Sequence, residues 1–143
     1  MSLKHISLVL AAGLAAVIAA GAASAASGSG HATVVIRHQT HGCHAWSVDG
    51  GAFKASQSIT LRRGSWLTVT NNDVMPHKLV LKSGPALKIA PANLGHMGTT
   101  VKVTFTHAGV YRFTTKAGED YPAMAGMKTV GEDNVLRLTV KVS

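Results

Sequence analysis

Between Thr33 and Val142 apolar residues recur in short runs at period two, and Gly, Asn or Asp closes nearly every run. Thr33 to Arg37 is rich in β-branched residues, Ser58 to Leu61 leads into Arg62-Arg63-Gly64, and Trp66-Leu67-Thr68-Val69-Thr70 alternates apolar with polar. Lys78 to Lys82, Thr100 to Thr106, Val110 to Thr115 and Val135 to Val142 continue the series. The breaks are Asn71-Asn72-Asp73, Ser83-Gly84-Pro85, His107-Ala108-Gly109 and Gly131-Glu132-Asp133-Asn134. Alternation at period two places successive side chains on opposite faces of an extended chain, so each run buries one face. No convincing amphipathic helix appears in this region. About seven or eight short, turn-bounded strands predict an all-β fold, a Greek-key antiparallel β-sandwich.

The N-terminus has a different pattern. Lys4 and His5 precede an apolar run from Ile6 to Ala20, and Ala23-Ser24-Ala25 follows. A basic start, a short apolar stretch and a small-x-small site are the marks of a secretory signal peptide, with cleavage expected after Ala25. The run is too short and too rich in Ala and Gly for a span of roughly 20 residues, and no basic segment follows to stop transfer. No cysteine lies near the cleavage site to carry a lipid. Ser27-Gly28-Ser29-Gly30 reads as a flexible leader, so the expected organisation is signal peptide 1–25, leader 26–32 and one domain over 33–143.

The chain has 14 Lys/Arg against 6 Asp/Glu, a formal charge of +8. Its cations are scattered, among them Arg37, Lys54, Lys78, Lys88 and Lys102, with no basic run and no interleaved aromatics. That excess favours solubility and attraction to anionic surfaces or acidic partners, and it argues against a nucleic-acid-binding role for an exported protein. Paired catalytic carboxylates, a nucleophile elbow and a metalloprotease helix motif are all lacking, so the expectation is a binding protein and not an enzyme.

Cys43 is the single cysteine. It has no intramolecular disulfide partner in a compartment where disulfides form, which leaves three readings: an inert buried residue, an intermolecular disulfide or a metal thiolate.

Two segments carry a family resemblance. Arg63-Gly64, a strand and then Asn71-Asn72-Asp73-Val74-Met75-Pro76-His77 resemble the cupredoxins, the blue-copper proteins, in which the equivalent histidine is a copper ligand. Val103 to Thr115, containing Gly109-Val110-Tyr111-Arg112-Phe113, resembles the family's G-x-Y-x-F hairpin leading to its metal loop. An Asn/Asp turn followed by Pro fixes the backbone just ahead of His77, so the imidazole is held with or without metal. The resemblance implies a cupredoxin-like domain, a single copper ion and His77 as a ligand. The sequence departs from the pattern where the family has its cysteine. Thr115 stands there, and Lys116 to Tyr121 supply no histidine. Either the copper site has been lost or the thiolate comes from elsewhere.

His41-Gly42-Cys43-His44-Ala45-Trp46 supports relocation. In a cupredoxin fold the connection between the first two strands lies at the histidine end of the sandwich, so Cys43 is the expected thiolate. His44 is the preferred second imidazole, being next to Cys43 in a loop, with His41 and His38 as fallbacks. Met97, in Asn93-Leu94-Gly95-His96-Met97-Gly98, is the axial candidate, with Met124 and Met127 as rivals and His96 behind them. Thiolate, imidazole and thioether together are the donor mixture copper favours, whereas structural zinc more often takes several cysteines. His31 and His107 are bystanders in this reading, and Trp46, Trp66, Phe53, Phe105 and Phe113 are core or near-core aromatics.

The expected function is one-electron transfer or copper handling and tolerance in the periplasm or outside the cell, by a monomer that meets a redox or copper-delivery protein and has no stable membrane insertion after cleavage. The alternative is a metal-free binding or structural module that keeps the sandwich after losing the family's site.

Overall fold

The longest strand organises the molecule. In the computed structural model, which describes residues 28–39, 44–117 and 135–143, the eight strands are β1 (Ser29–His38), β2 (His44–Val48), β3 (Ser56–Asn72), β4 (His77–Ser83), β5 (Asn93–Leu94), β6 (Thr100–Thr104), β7 (Gly109–Ala117) and β8 (Arg137–Val142). The signal-peptide segment, His41, Cys43, Met124 and Met127 lie outside the described residues. The runs at Ser58–Leu61 and Trp66–Thr70, expected as two strands, are one continuous β3 of 17 residues. Its first part, Ser56–Leu61, pairs with β8, and its second, Trp66–Thr70, pairs with β1 and β6. Gly64 stands between the two parts at φ +85°, a conformation that favours glycine. Hydrogen bonding continues across it: Arg63 N donates to Ser143 O and Gly64 N to Phe105 O, both at 2.7 Å. Turn-forming residues therefore mark a change of partner here and not a chain reversal.

The strand order β2-β1-β3-β8-β7-β4-β5, with β6 also on β3, is a curled sheet whose two halves share β3. One hydrophobic cluster joins them: Val34, Ile36, Trp46, Leu67, Val69 and Phe105 from one half meet Leu79, Tyr111, Phe113, Leu138 and Val140 from the other. Phe105 packs edge-on against Tyr111 at 4.9 Å and Phe113 at 6.2 Å, contacts that add to the area each ring removes from water. Tyr111 Oη donates to His107 O at 2.8 Å, so the buried phenol is satisfied and closes the β6–β7 turn.

Two features differ from expectation. The sheet is mixed: β1 and β3 run parallel, as do β3 and β8. Alternation reports which face a strand buries but is the same for either direction of pairing, which the connections decide. The first strand also starts at Ser29 and not Thr33, because Ser29 pairs with Leu61 and His31 with Trp66. A Cβ on Gly28 would lie 2.6 Å from the Leu61 carbonyl carbon, so the small residues read as leader allow close approach to β3.

Candidate metal centre

Four strand ends converge at one end of the sandwich. Parallel pairing brings Arg37 of β1 beside Asn72 of β3. The antiparallel partner of His38 is His44 at the start of β2. β4 begins at His77, which pairs with Leu94 on one side and Ala117 on the other. Ala117, the last residue of β7, thus lies at this end too.

The turn from β3 to β4 is built around Asn71 and Asp73, both fully buried. Asn71 Oδ1 accepts from Asp73 N at 2.8 Å, while its Nδ2 donates to Met75 O and Leu94 O, each at 2.9 Å. Asp73 Oδ1 in turn accepts from Met75 N at 3.0 Å. Two successive side-chain-to-backbone turns of this type fix the loop ahead of Pro76 and His77, as the Asn/Asp-then-Pro pattern implies. Asn71 also anchors the next loop: its N donates to Thr99 O and its O accepts from Gly98 N.

Asp73 is the centre of the site and was not among the residues expected to form it. Its Oδ2 lies 2.9 Å from His44 Nδ1 and 3.2 Å from His77 Nε2. Both histidines are 3% exposed, and their rings meet edge to face at 4.9 Å and 88°. His38 Nδ1 stands 3.8 Å from Asp73 Oδ1, with its side chain half exposed. His38, His44 and Asp73 each offer a donor atom, all within 4.8 Å of one another, a group able to hold a metal ion. Burial by itself would raise the Asp73 carboxyl, but the Met75 N–H and the two imidazoles outweigh it and hold the group below the usual aspartate range. Asp73 is thus a buried anion whose charge faces imidazoles.

The expected residues fare differently. His44 and His77, 33 positions apart in the chain, come together. His44 does so as the first residue of β2 and not from a loop, since pairing with His38 extends the hairpin to its position. Met97 is 52% exposed and precedes Gly98, whose tie to Asn71 holds that turn against the site end. His96 lies in the same exposed turn, its Nδ1 3.1 Å from Met97 O. The fallback His38 joins the cluster. His31 instead stacks on Trp66 at 5.3 Å, and His107 pairs with Thr106 Oγ1 at 3.0 Å. Of the aromatics, Trp46, Phe105 and Phe113 are core, Phe53 is half-buried and Trp66 is 38% exposed. The signal for Asp73 was present in the sequence, an acid four residues before His77, but its Asn/Asp-rich surroundings read as a surface turn.

The chain matches no protein-family model and no curated protein. Among solved structures it is similar to a purple cupredoxin from Nitrosopumilus maritimus, 19% identical over 78% of this chain and 98% of that one, with a TM-score of 0.44. It is similar to a reduced amicyanin variant, 18% identical over 78% of this chain and 82% of that one, at 0.41. It is also similar to the McoA multicopper oxidase of Aquifex aeolicus, 11% identical over 79% of this chain but 26% of that longer one, at 0.49. The architecture is all-β, a curled mixed sheet.

Proposed function

We propose that this protein binds a single copper ion at the His44–Asp73–His77 end of the sandwich and works outside the cytoplasm in one-electron transfer or copper handling. The observation that carries this reading is the buried carboxylate shared by two imidazoles from different strands. Metal-ligating histidines commonly give their second ring nitrogen to a carboxylate that fixes ring orientation and basicity. In this reading Asp73 takes that role for both rings, and His44 and His77 are the imidazole ligands of the ion. Cys43, adjacent to His44 in sequence, is the proposed thiolate, and Met97 the proposed thioether, with Met124 and Met127 as alternatives. The donor chemistry fits copper: soft sulfur with imidazole suits an ion that cycles between two oxidation states. Bound copper would supply a one-electron couple, and the chain's part is to hold the imidazoles fixed and buried so that little rearrangement accompanies the change. A redox or copper-delivery protein is the proposed partner of a monomer that is not itself an enzyme.

The test is the visible spectrum of the protein with one equivalent of Cu(II), beside Cys43→Ser. An intense thiolate-to-copper band, lost in the variant, is the expected result. Copper bound without that band would remove Cys43 from the site and leave the nitrogen and oxygen donors of His38, His44 and Asp73.

A second reading has its own observation. Asp73 is already hydrogen-bonded to both imidazoles and to Met75 N, and a satisfied buried network of this kind can serve simply to specify the turn. That metal-free module predicts no tight binding of Cu(II), Cu(I) or Zn(II) and no rise in thermal stability when they are added.

A further inference from the structure

The hairpin that carries His44 also carries His38 directly opposite it. Cross-strand partners project on one face of a sheet, and the rings of His38 and His44 stand 6.1 Å apart at 75°. The parallel pairing of Arg37 with Asn72 puts the residues that follow them, His38 and Asp73, at neighbouring strand ends. Three donors thus come from three segments and lie within 4.8 Å of one another. Asp73 Oδ1 accepts from Met75 N, and a carboxylate oxygen has two lone pairs, so among the described residues the second is available on the oxygen 3.8 Å from His38 Nδ1. That separation is too long for a hydrogen bond. Donors bound tetrahedrally at about 2.0–2.1 Å stand about 3.3 Å apart. The 2.9 Å from His44 Nδ1 to Asp73 Oδ2 and the 3.8 Å on the His38 side lie to either side of that span. His38, with half its side chain exposed, has room to close the wider gap by rotation.

We infer that His38 Nδ1, His44 Nδ1 and Asp73 form a second metal site, for a borderline divalent ion of the zinc class, reached from solvent on the His38 side. Two nitrogen donors disfavour the hard cations Mg(II) and Ca(II), which take oxygen ligands, and the set has no sulfur to select Cu(I). Two imidazoles and a carboxylate, with water in the fourth position, are a zinc arrangement that keeps one place exchangeable. The ion replaces the hydrogen bond between His44 Nδ1 and Asp73 Oδ2 and leaves the ring's proton on its other nitrogen. A neutral imidazole has one lone-pair nitrogen, so His44 serves this ion or the proposed copper ion, one at a time. The site uses neither Cys43, His77 nor a methionine, and so does not rest on the copper reading.

The experiment titrates Zn(II) into the chain from Ala26 onward, both native and as Cys43→Ser, by calorimetry and by the ring-nitrogen resonances of the histidines. One Zn(II) bound by Cys43→Ser is expected, with shifts at Nδ1 of His38 and His44 and none at His107, an exposed imidazole in the β6–β7 turn. In that background His38→Ala should weaken Zn(II) binding by at least about tenfold. His107→Ala should leave it within about twofold, since distant sites act independently. His41→Ala, from the segment between the two histidines, should also leave it within about twofold. No Zn(II) binding by Cys43→Ser, or affinity unchanged in His38→Ala, would overturn the assignment. So would a loss in His41→Ala as large as that in His38→Ala, which moves the ion into the intervening segment. Equal unfolding temperatures of the metal-free variants show that folding is not what is read. The copper reading stands or falls on the thiolate band of the native protein, which Cys43→Ser removes, so its failure and the failure of this site are read separately.

Discussion

His44 Nδ1 and Asp73 Oδ2, 29 residues apart in the chain, meet at 2.9 Å in a buried hydrogen bond. The contact joins the start of β2 to the turn after β3, and through the same oxygen it reaches His77. Removing the charge while keeping the shape separates what this carboxylate does for the fold from what it does for a metal. Asp73→Asn is expected to lower unfolding free energy by about 1–3 kcal/mol, the usual effect of disturbing a buried charged hydrogen bond. It should also weaken Cu(II) binding by about 10–100-fold, as loss of an orienting carboxylate does. Chemical unfolding and copper titration of the variant check the two effects independently.

Acid sensitivity follows from the same group. The folded Asp73 carboxyl is held below its ordinary value, so its contribution to stability is complete above the unfolded value of about 3.9. It is lost as pH falls through the lower folded value, because the unfolded chain then binds the proton more readily. Metal-free protein should therefore lose stability on acidification below about pH 4, and Asp73→Asn should flatten that part of the profile. Urea unfolding at a series of pH values measures the difference; parallel profiles would remove Asp73 as its source.

Asn71 makes three side-chain hydrogen bonds at a fully buried position. Asn71→Ala leaves Met75 O, Leu94 O and Asp73 N without that partner, at a cost of at least about 2 kcal/mol. Because the residue also positions the Asp73 turn, His77 amide and ring resonances should broaden or shift along with the loss of stability. A stability loss without change at His77 would show that the turn holds its shape by other means.

The three methionines offered for an axial position are separable by spectrum. Met97→Leu keeps the volume and removes the thioether. In the copper protein it is expected to move the thiolate band and raise the reduction potential, while Met124→Leu and Met127→Leu leave both in place. A band moved by Met124→Leu or Met127→Leu and not by Met97→Leu would transfer the role to the 118–134 segment.

The sequence by itself determined which residues face the core and where strands break. Alternation at Trp66–Thr70 and Val110–Thr115 is a direct consequence of the two-residue pleat, and the observed burial of Leu67, Val69, Tyr111 and Phe113 follows it. The Asn/Asp-Pro-His segment likewise announced a rigid turn ahead of His77, since its hydrogen bonds are local and need no distant partner. What only the tertiary structure decided depends on contacts between segments far apart in the chain. The parallel pairing of β1 with β3, the joining of two expected strands into one β3 and the extension of β2 to His44 are set by which strand ends lie side by side. Asp73 shows the same division: its place in a turn is written in its neighbours. Its role as the buried anion between His44 and His77 arises only when β2 and β4 close around it, because burial and charge pairing belong to the assembled sheet and not to any one segment.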